Sequence, residues 1–77
     1  MDEPLVENSL RVQRAKRKLT QAELAGLAGI TRASVNAVET GRMTPSILLA
    51  LRLASALDVP VGELFWLQGS SNAKPVR

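Results

Sequence analysis

Polar-to-apolar transitions of one kind recur three times along the chain, and each reads as a helix start. In Leu19-Thr20-Gln21-Ala22-Glu23-Leu24, Thr20 stands as N-cap with Glu23 three residues on, a capping box, while Leu19 and Leu24 are placed to close as a hydrophobic staple. Ile30-Thr31-Arg32-Ala33-Ser34-Val35 repeats the arrangement with Thr31 as cap and Ile30 and Val35 as staple. Met43-Thr44-Pro45-Ser46-Ile47-Leu48 places Thr44 as a third cap with Pro45 at the first helical position, where its missing N–H costs nothing. Gly29 and Gly41 fall just past the expected ends of two of these helices, where a left-handed residue is needed. Asp58-Val59-Pro60 interrupts the last long apolar stretch, because a residue before proline is pushed out of the helical region. The pattern predicts helices near residues 8–17, 21–28, 32–40 and 45–57, and a short fifth near 61–66.

Periodicity then assigns faces. Leu24, Leu27 and Ala28 are expected on one side of the second helix, Val35 and Val38 on one side of the third, and Leu51, Ala54 and Leu57 on one side of the fourth. Ala22 and Ala25 are small enough for a close crossing. Leu10 and Arg14 are one turn apart, so Arg14 faces the core side of the first helix, and Glu39 one turn beyond Val35 likewise interrupts an apolar stripe. Two opposite charges on core-facing stripes are expected to meet. The organisation is a flexible arm over residues 1–7, one all-α, five-helix domain over 8–67, and a flexible tail over 68–77. Two short helices joined by three residues that include a glycine have the spacing of a helix-turn-helix.

Composition narrows the function. Seventy-seven residues allow a single domain, and with only Phe65 and Trp66 as aromatics its core is built from Leu, Val, Ile and Ala. The absence of His and Cys removes the commonest general base, the usual nitrogen and sulfur metal ligands, the thiol nucleophile and any disulfide. Enzyme chemistry is therefore not expected, nor is a metal, a cofactor or a small-molecule ligand. Ten Lys and Arg stand against seven Asp and Glu, and three of those acids, Asp2, Glu3 and Glu7, lie in the first seven residues. The folded part is more basic than the net charge of +3 conveys, which points to an anionic partner. No apolar run approaches the roughly 20 residues of a membrane span, and the acidic start is unlike a secretory signal, so a soluble cytoplasmic protein is the expectation.

Leu19-Thr20-Gln21-Ala22-Glu23-Leu24-Ala25, Gly29-Ile30-Thr31-Arg32, Val35 to Arg42 and Thr44-Pro45-Ser46 together resemble the Cro/repressor (XRE-type) class of DNA-binding regulators, in its short stand-alone prokaryotic form. The likeness continues through Ala50-Leu51, Ala54, Ala56-Leu57, Val59 and Glu63-Leu64-Phe65, about 58 of the 77 residues. It implies that the third helix is a recognition helix lying in the major groove of double-stranded DNA. With Val35 and Val38 inward, the outward residues are Thr31, Arg32, Ala33, Asn36, Ala37 and Thr40. Arg32 has a fork that matches guanine O6 and N7, Asn36 fits adenine N6 and N7, and Ala33 or Ala37 fits a thymine methyl. A solvated helix face is the plain alternative for this set.

The resemblance also places phosphate contacts at Gln21, through its side chain and the free N–H groups of its helix end, and at Arg42 and Thr44 in the loop after the third helix. Capping alone would account for Gln21 and Thr44 as well. An ion pair between Arg14 and Glu39 is implied as a structural element. Arg11, Lys16, Arg17 and Lys18 form a solvated basic face from which one or two reach flanking phosphates. Two departures are visible: Gln13 stands where the class has a large aliphatic residue, and Ala33 and Ala37 stand where many members carry longer polar ones. Direct readout would then rest on Arg32 and Asn36, with DNA shape contributing more.

The segment Leu64-Phe65-Trp66-Leu67 is too apolar for a short helix to hide, and a two-fold homodimer is the expected cover. Trp66 folding back as ordinary core is the alternative. The leading function is a sequence-specific transcriptional regulator acting as a homodimer on a palindromic operator. The alternative is a protein-interaction module, such as an antitoxin, gripping a partner through the C-terminal apolar patch.

Overall fold

In a computed structural model, residues 5–69 are described, so Met1–Pro4 of the expected arm and residues 70–77 of the expected tail lie outside the described residues. The elements run β1 (Val6–Asn8), α1 (Leu10–Lys16), α2 (Gln21–Ala28), α3 (Arg32–Glu39), α4 (Ile47–Leu57), α5 (Val61–Leu64) and β2 (Phe65–Leu67). Among the described residues five helices are present as expected, and a small antiparallel two-stranded sheet is added to them.

Local chemistry explains the helix starts. Thr20 Oγ1 accepts from the Glu23 N–H at 3.0 Å while Glu23 Oε1 accepts from the Thr20 N–H at 2.8 Å, which completes the capping box of α2. Gly29, at φ 73°, ends that helix in the left-handed region. Thr31 Oγ1 accepts from the Ser34 N–H at 3.0 Å at the start of α3. The cap of α4 differs from expectation: Ser46 Oγ, not Thr44, accepts from the Leu49 N–H at 3.1 Å, and the helix begins at Ile47. Serine caps at least as well as threonine, and with Ser46 in that role Pro45 sits just ahead of the helix. Asp58 takes the left-handed position that ends α4, at φ 57°.

Residues 6–8 and 65–67 also differ from the sequence-based expectation. Residues 6 and 7 of the expected arm and residue 8 of the expected first helix form β1, and residues 65 and 66 of the expected fifth helix are extended in β2. Val6 pairs with Leu67, Glu7 with Trp66 and Asn8 with Phe65. Phe65 and Trp66 are strand-favouring residues, and pairing satisfies backbone groups that a single helical turn would leave open. Asn8 then starts α1 in place of a longer helix: its Oδ1 accepts from the Leu10 N–H at 2.9 Å and its Nδ2 donates to the Val38 carbonyl at 3.0 Å. Ser9 donates from its N–H to the Leu64 carbonyl at 3.0 Å and from its hydroxyl to the Glu63 carbonyl at 2.9 Å, which ties the two ends together.

One core lies between the helices, made of Leu10, Leu24, Ala25, Ala28, Val35, Val38, Leu53, Ala54, Leu57 and Leu64. Two expected core residues are outside it. Leu27 is 62% exposed and Leu51 51% exposed, whereas Leu53 is fully buried. The stripe of α4 is Leu53, Ala54 and Leu57, and because α4 is apolar almost all round, periodicity alone does not select it. Ala25 is buried at the crossing of α2, and Ala22 is exposed.

Candidate nucleic-acid interface

The helix-turn-helix unit is α2, the turn through Gly29 and Thr31, and α3 packed back on α2. Burial of Val35, Val38 and the Glu39 side chain turns the opposite side of α3 outward. Thr31, Arg32, Ala33 and Thr40 are exposed, while Asn36 and Ala37 are half-buried. Beyond the helix, Arg42 and Thr44 are exposed, and Arg42 Nε donates to Thr40 Oγ1 at 3.2 Å. Thr40 in turn donates to the Asn36 carbonyl at 2.8 Å, so the loop cation is tied to the end of α3.

Behind this surface lies a buried ionic anchor. Arg14 Nε donates to Glu39 Oε2 at 2.6 Å, and Nη2 donates to Oε1 at 3.2 Å, a two-pronged pair between α1 and α3. Arg14 Nη1 donates to the Leu19 carbonyl at 2.8 Å. The Glu39 side chain is fully buried and that of Arg14 is 18% exposed. Burial by itself would raise the Glu39 pKa, but hydrogen bonds from Arg14 and Gln21, with the charges of Arg14 and Arg11, outweigh it and hold the carboxyl below its usual value. The hydrogen bond to Glu39 raises the Arg14 pKa against the opposing effect of burial. Arg11, on the exposed side, stands 3.8 Å from Glu39 Oε1.

Gln21 has a role that its position in the sequence did not reveal. Its Nε2 donates to both Asn36 Oδ1 and Glu39 Oε1, each at 3.1 Å. Both amide hydrogens are thus directed inward, and the remaining side-chain oxygen can only accept, whereas a phosphodiester has no proton to give. With both amide hydrogens engaged by Asn36 and Glu39, the groups left free at this end of the helix are the backbone N–H groups of the α2 N-terminus. The Gln21 to Asn36 bond joins residues 15 apart on two helices, and neither lies on a hydrophobic stripe, so no periodic signal announces it.

Other expected residues fall as follows. Gln13, where an aliphatic residue would be usual for the resembled class, is half-buried and accepts from Arg17 Nη1 at 3.0 Å through its side-chain oxygen. Leu64, expected at a dimer interface, is fully buried in its own chain's core, so it is excluded from any intermolecular surface. Phe65 packs partly against that core, Trp66 is half-buried, and Leu67 is 53% exposed. A larger apolar exposure lies on α4, at Ile47, Leu48 and Leu51. Among the described residues no cluster of acids is placed to hold a metal ion, and no helix is long and apolar enough to cross a membrane.

The helix-turn-helix family profile matches residues 10–64. The chain belongs to the helix-turn-helix family of transcriptional regulators. It is 35% identical over 63 residues to the uncharacterised HTH-type transcriptional regulator YgzD of Bacillus subtilis, covering 82% of this chain and 96% of that one. Among solved structures it is similar to the restriction-modification controller protein C.AhdI from Aeromonas hydrophila, with 40% identity and a TM-score of 0.66 over 68% of this chain and 79% of that one. The clp gene regulator ClgR from C. glutamicum matches with 31% identity and a TM-score of 0.63, over 68% of each chain. The fold and family are those of DNA-binding regulators, not of enzymes.

Proposed function

We propose that this regulator binds a palindromic double-stranded DNA operator in a sequence-specific manner, as a homodimer, with α3 in the major groove. The observation that carries the reading is the outward face of α3: Arg32 and Ala33 exposed at its N-terminal end, Asn36 one turn further, and Arg42 and Thr44 beyond. Arg32 reads guanine through its fork, Ala33 or Ala37 meets a thymine methyl, and Asn36 donates to a base edge. Thr31 stands at the mouth of the groove as the cap of α3. Phosphates are held by the N–H groups at the start of α2 and by Arg42, with Thr44 donating nearby.

The dimer reading is supported by apolar surface, with Ile47 81% exposed, Leu48 60% and Leu51 51% on one helix. A second copy related by a two-fold axis would cover that face and set two copies of α3 on one side of the duplex, with half-sites centred roughly 10–10.5 base pairs apart. Selection of duplexes from a randomised pool, followed by mobility shift, tests the reading. Enrichment of an inverted repeat is the expected outcome, and retention of duplexes without base preference contradicts it. Exclusive recovery of a complex with a different protein, without DNA, would favour the interaction-module reading.

A further inference from the structure

We infer that Gln21 is a positioning residue for base readout, and that it acts by fixing which edge of the Asn36 carboxamide faces the groove. The inference rests on the DNA-reading role proposed for α3.

Glu39 fixes the first orientation. Its side chain is fully buried, Arg14 clamps it, and its carboxylate can only accept hydrogen bonds. Gln21 comes within 3.1 Å of Glu39 Oε1, so the atom that meets it must be the amide nitrogen, because an amide oxygen there would oppose the carboxylate. That nitrogen carries a second hydrogen. It points at Asn36, 3.1 Å away, and the Asn36 atom that receives it must in turn be an acceptor, Oδ1. The Asn36 NH2 is then left on the other edge. A buried charge thereby sets the orientation of one amide, and that amide sets the next.

This orientation has a consequence for recognition. An amide on an open helix face is otherwise free to turn over and present either its donor or its acceptor edge. Held by Gln21, Asn36 leads with a donor, which suits purine N7, guanine O6 and thymine O4 and disfavours the amino group of cytosine. The sequence alone suggests a two-pronged match to adenine; the relay shifts the emphasis to whichever base places an acceptor opposite the Asn36 NH2. Base preference at one position would therefore depend on Gln21, a residue on a different helix that need not touch a base.

The test compares wild type, Gln21→Met, Asn36→Ala and the double variant on duplexes randomised over a central stretch, with affinities at two salt concentrations and a melting curve for each protein. Methionine keeps the length of glutamine and removes its donors. Asn36→Ala is expected to reduce discrimination at one position of each half-site by roughly tenfold. Gln21→Met is expected to reduce it at that same position by roughly threefold or more, with no further loss in the double variant and no change at the position read by Arg32. If Gln21 only braces Glu39, the substitution lowers the melting temperature and weakens all duplexes alike with preference intact, and the inference is overturned. A uniform loss accompanied by a shallower salt dependence overturns it too, because it would mark a phosphate contact. Wild type without any base preference removes the reading role of α3 itself, whereas preference that survives Gln21→Met removes the relay alone. Should Gln21→Met melt below the assay temperature, the free wild-type protein decides by NMR. The relay predicts slower exchange of the Gln21 side-chain amide hydrogens than of those of Asn36, and equal or reversed rates contradict it.

Discussion

Helices α3 and α4 both press a stripe into the same core, Val35 and Val38 from one and Leu53, Ala54 and Leu57 from the other, yet they leave opposite surfaces outside. Around its exposed Arg32 and Ala33, α3 shows Asn36 and Thr40, and it ends in a buried carboxylate held by Arg14 and Gln21. Outside α4 are Ile47, Leu48 and Leu51, with Arg52 reaching back to the Gly29 carbonyl at 3.3 Å. A polar face backed by a fixed ionic network suits a surface that must meet an aqueous, charged groove in one geometry. An apolar face suits contact with another protein surface, where area removed from water matters more than the direction of any one bond. The contrast teaches that the two helices are held by different forces and predicts that they fail under different perturbations.

The largest effect is expected at the ionic anchor. Glu39→Ala strands the Arg14 guanidinium and leaves Gln21 without one of its two acceptors, at a cost of roughly 3–5 kcal/mol, which lowers the melting temperature by roughly 12–40 °C. Acid is expected to act on the same group. The Glu39 pKa is lowered on folding, so its contribution to stability is present above the unfolded carboxylate pKa and is lost as pH falls through the folded value. Melting temperature followed into acid is thus expected to fall more steeply for wild type than for Glu39→Gln. Parallel curves would mean that the carboxylate does not anchor α3.

On α4 the expectation is a sharp contrast between neighbours. Leu53→Ala, at a fully buried site, is expected to cost about 2–5 kcal/mol by denaturant melting, whereas Leu51→Ala stays within about 0.5 kcal/mol for the folded monomer. Leu51→Lys then probes the outward side alone: it is expected to leave the fold intact and raise the dimer dissociation constant about tenfold or more by sedimentation. An unaltered association constant would detach the apolar face of α4 from dimer formation. The smallest effect concerns the start of that helix, where Ser46→Ala is expected to cost about 1 kcal/mol and Thr44→Ala less than about 0.5 kcal/mol. The reverse order in thermal melts would return the cap to Thr44.

The same contrast explains what the sequence made legible. The starts of α2 and α3 could be read because a cap and its partner lie three residues apart, and the placing of Arg14 and Glu39 followed from single helical turns beyond Leu10 and Val35. On α4 the reading failed, because Ile47 to Leu57 is apolar on nearly every side and nothing local ranks Leu53 above Leu51. The strands escaped for another reason. Three residues carry no period, and Glu7 finds its partner at Trp66, across almost the whole domain. At the candidate interface the outward set on α3 emerged by subtracting the core stripe, but the bond that orients Asn36 crosses from α2 and is visible only in three dimensions.

The claim that α3 reads bases, and does not merely add positive charge, is tested most directly by comparing Arg32→Ala with Arg42→Ala on operator and scrambled duplexes at two salt concentrations. Arg32→Ala is expected to cost about 1–3 kcal/mol per half-site on the operator and to relax preference at one base pair. Arg42→Ala is expected to weaken both duplexes alike and to lower the salt dependence by about one unit per subunit. An Arg32→Ala protein that loses affinity equally for both duplexes, with its base preference unchanged, would contradict the account.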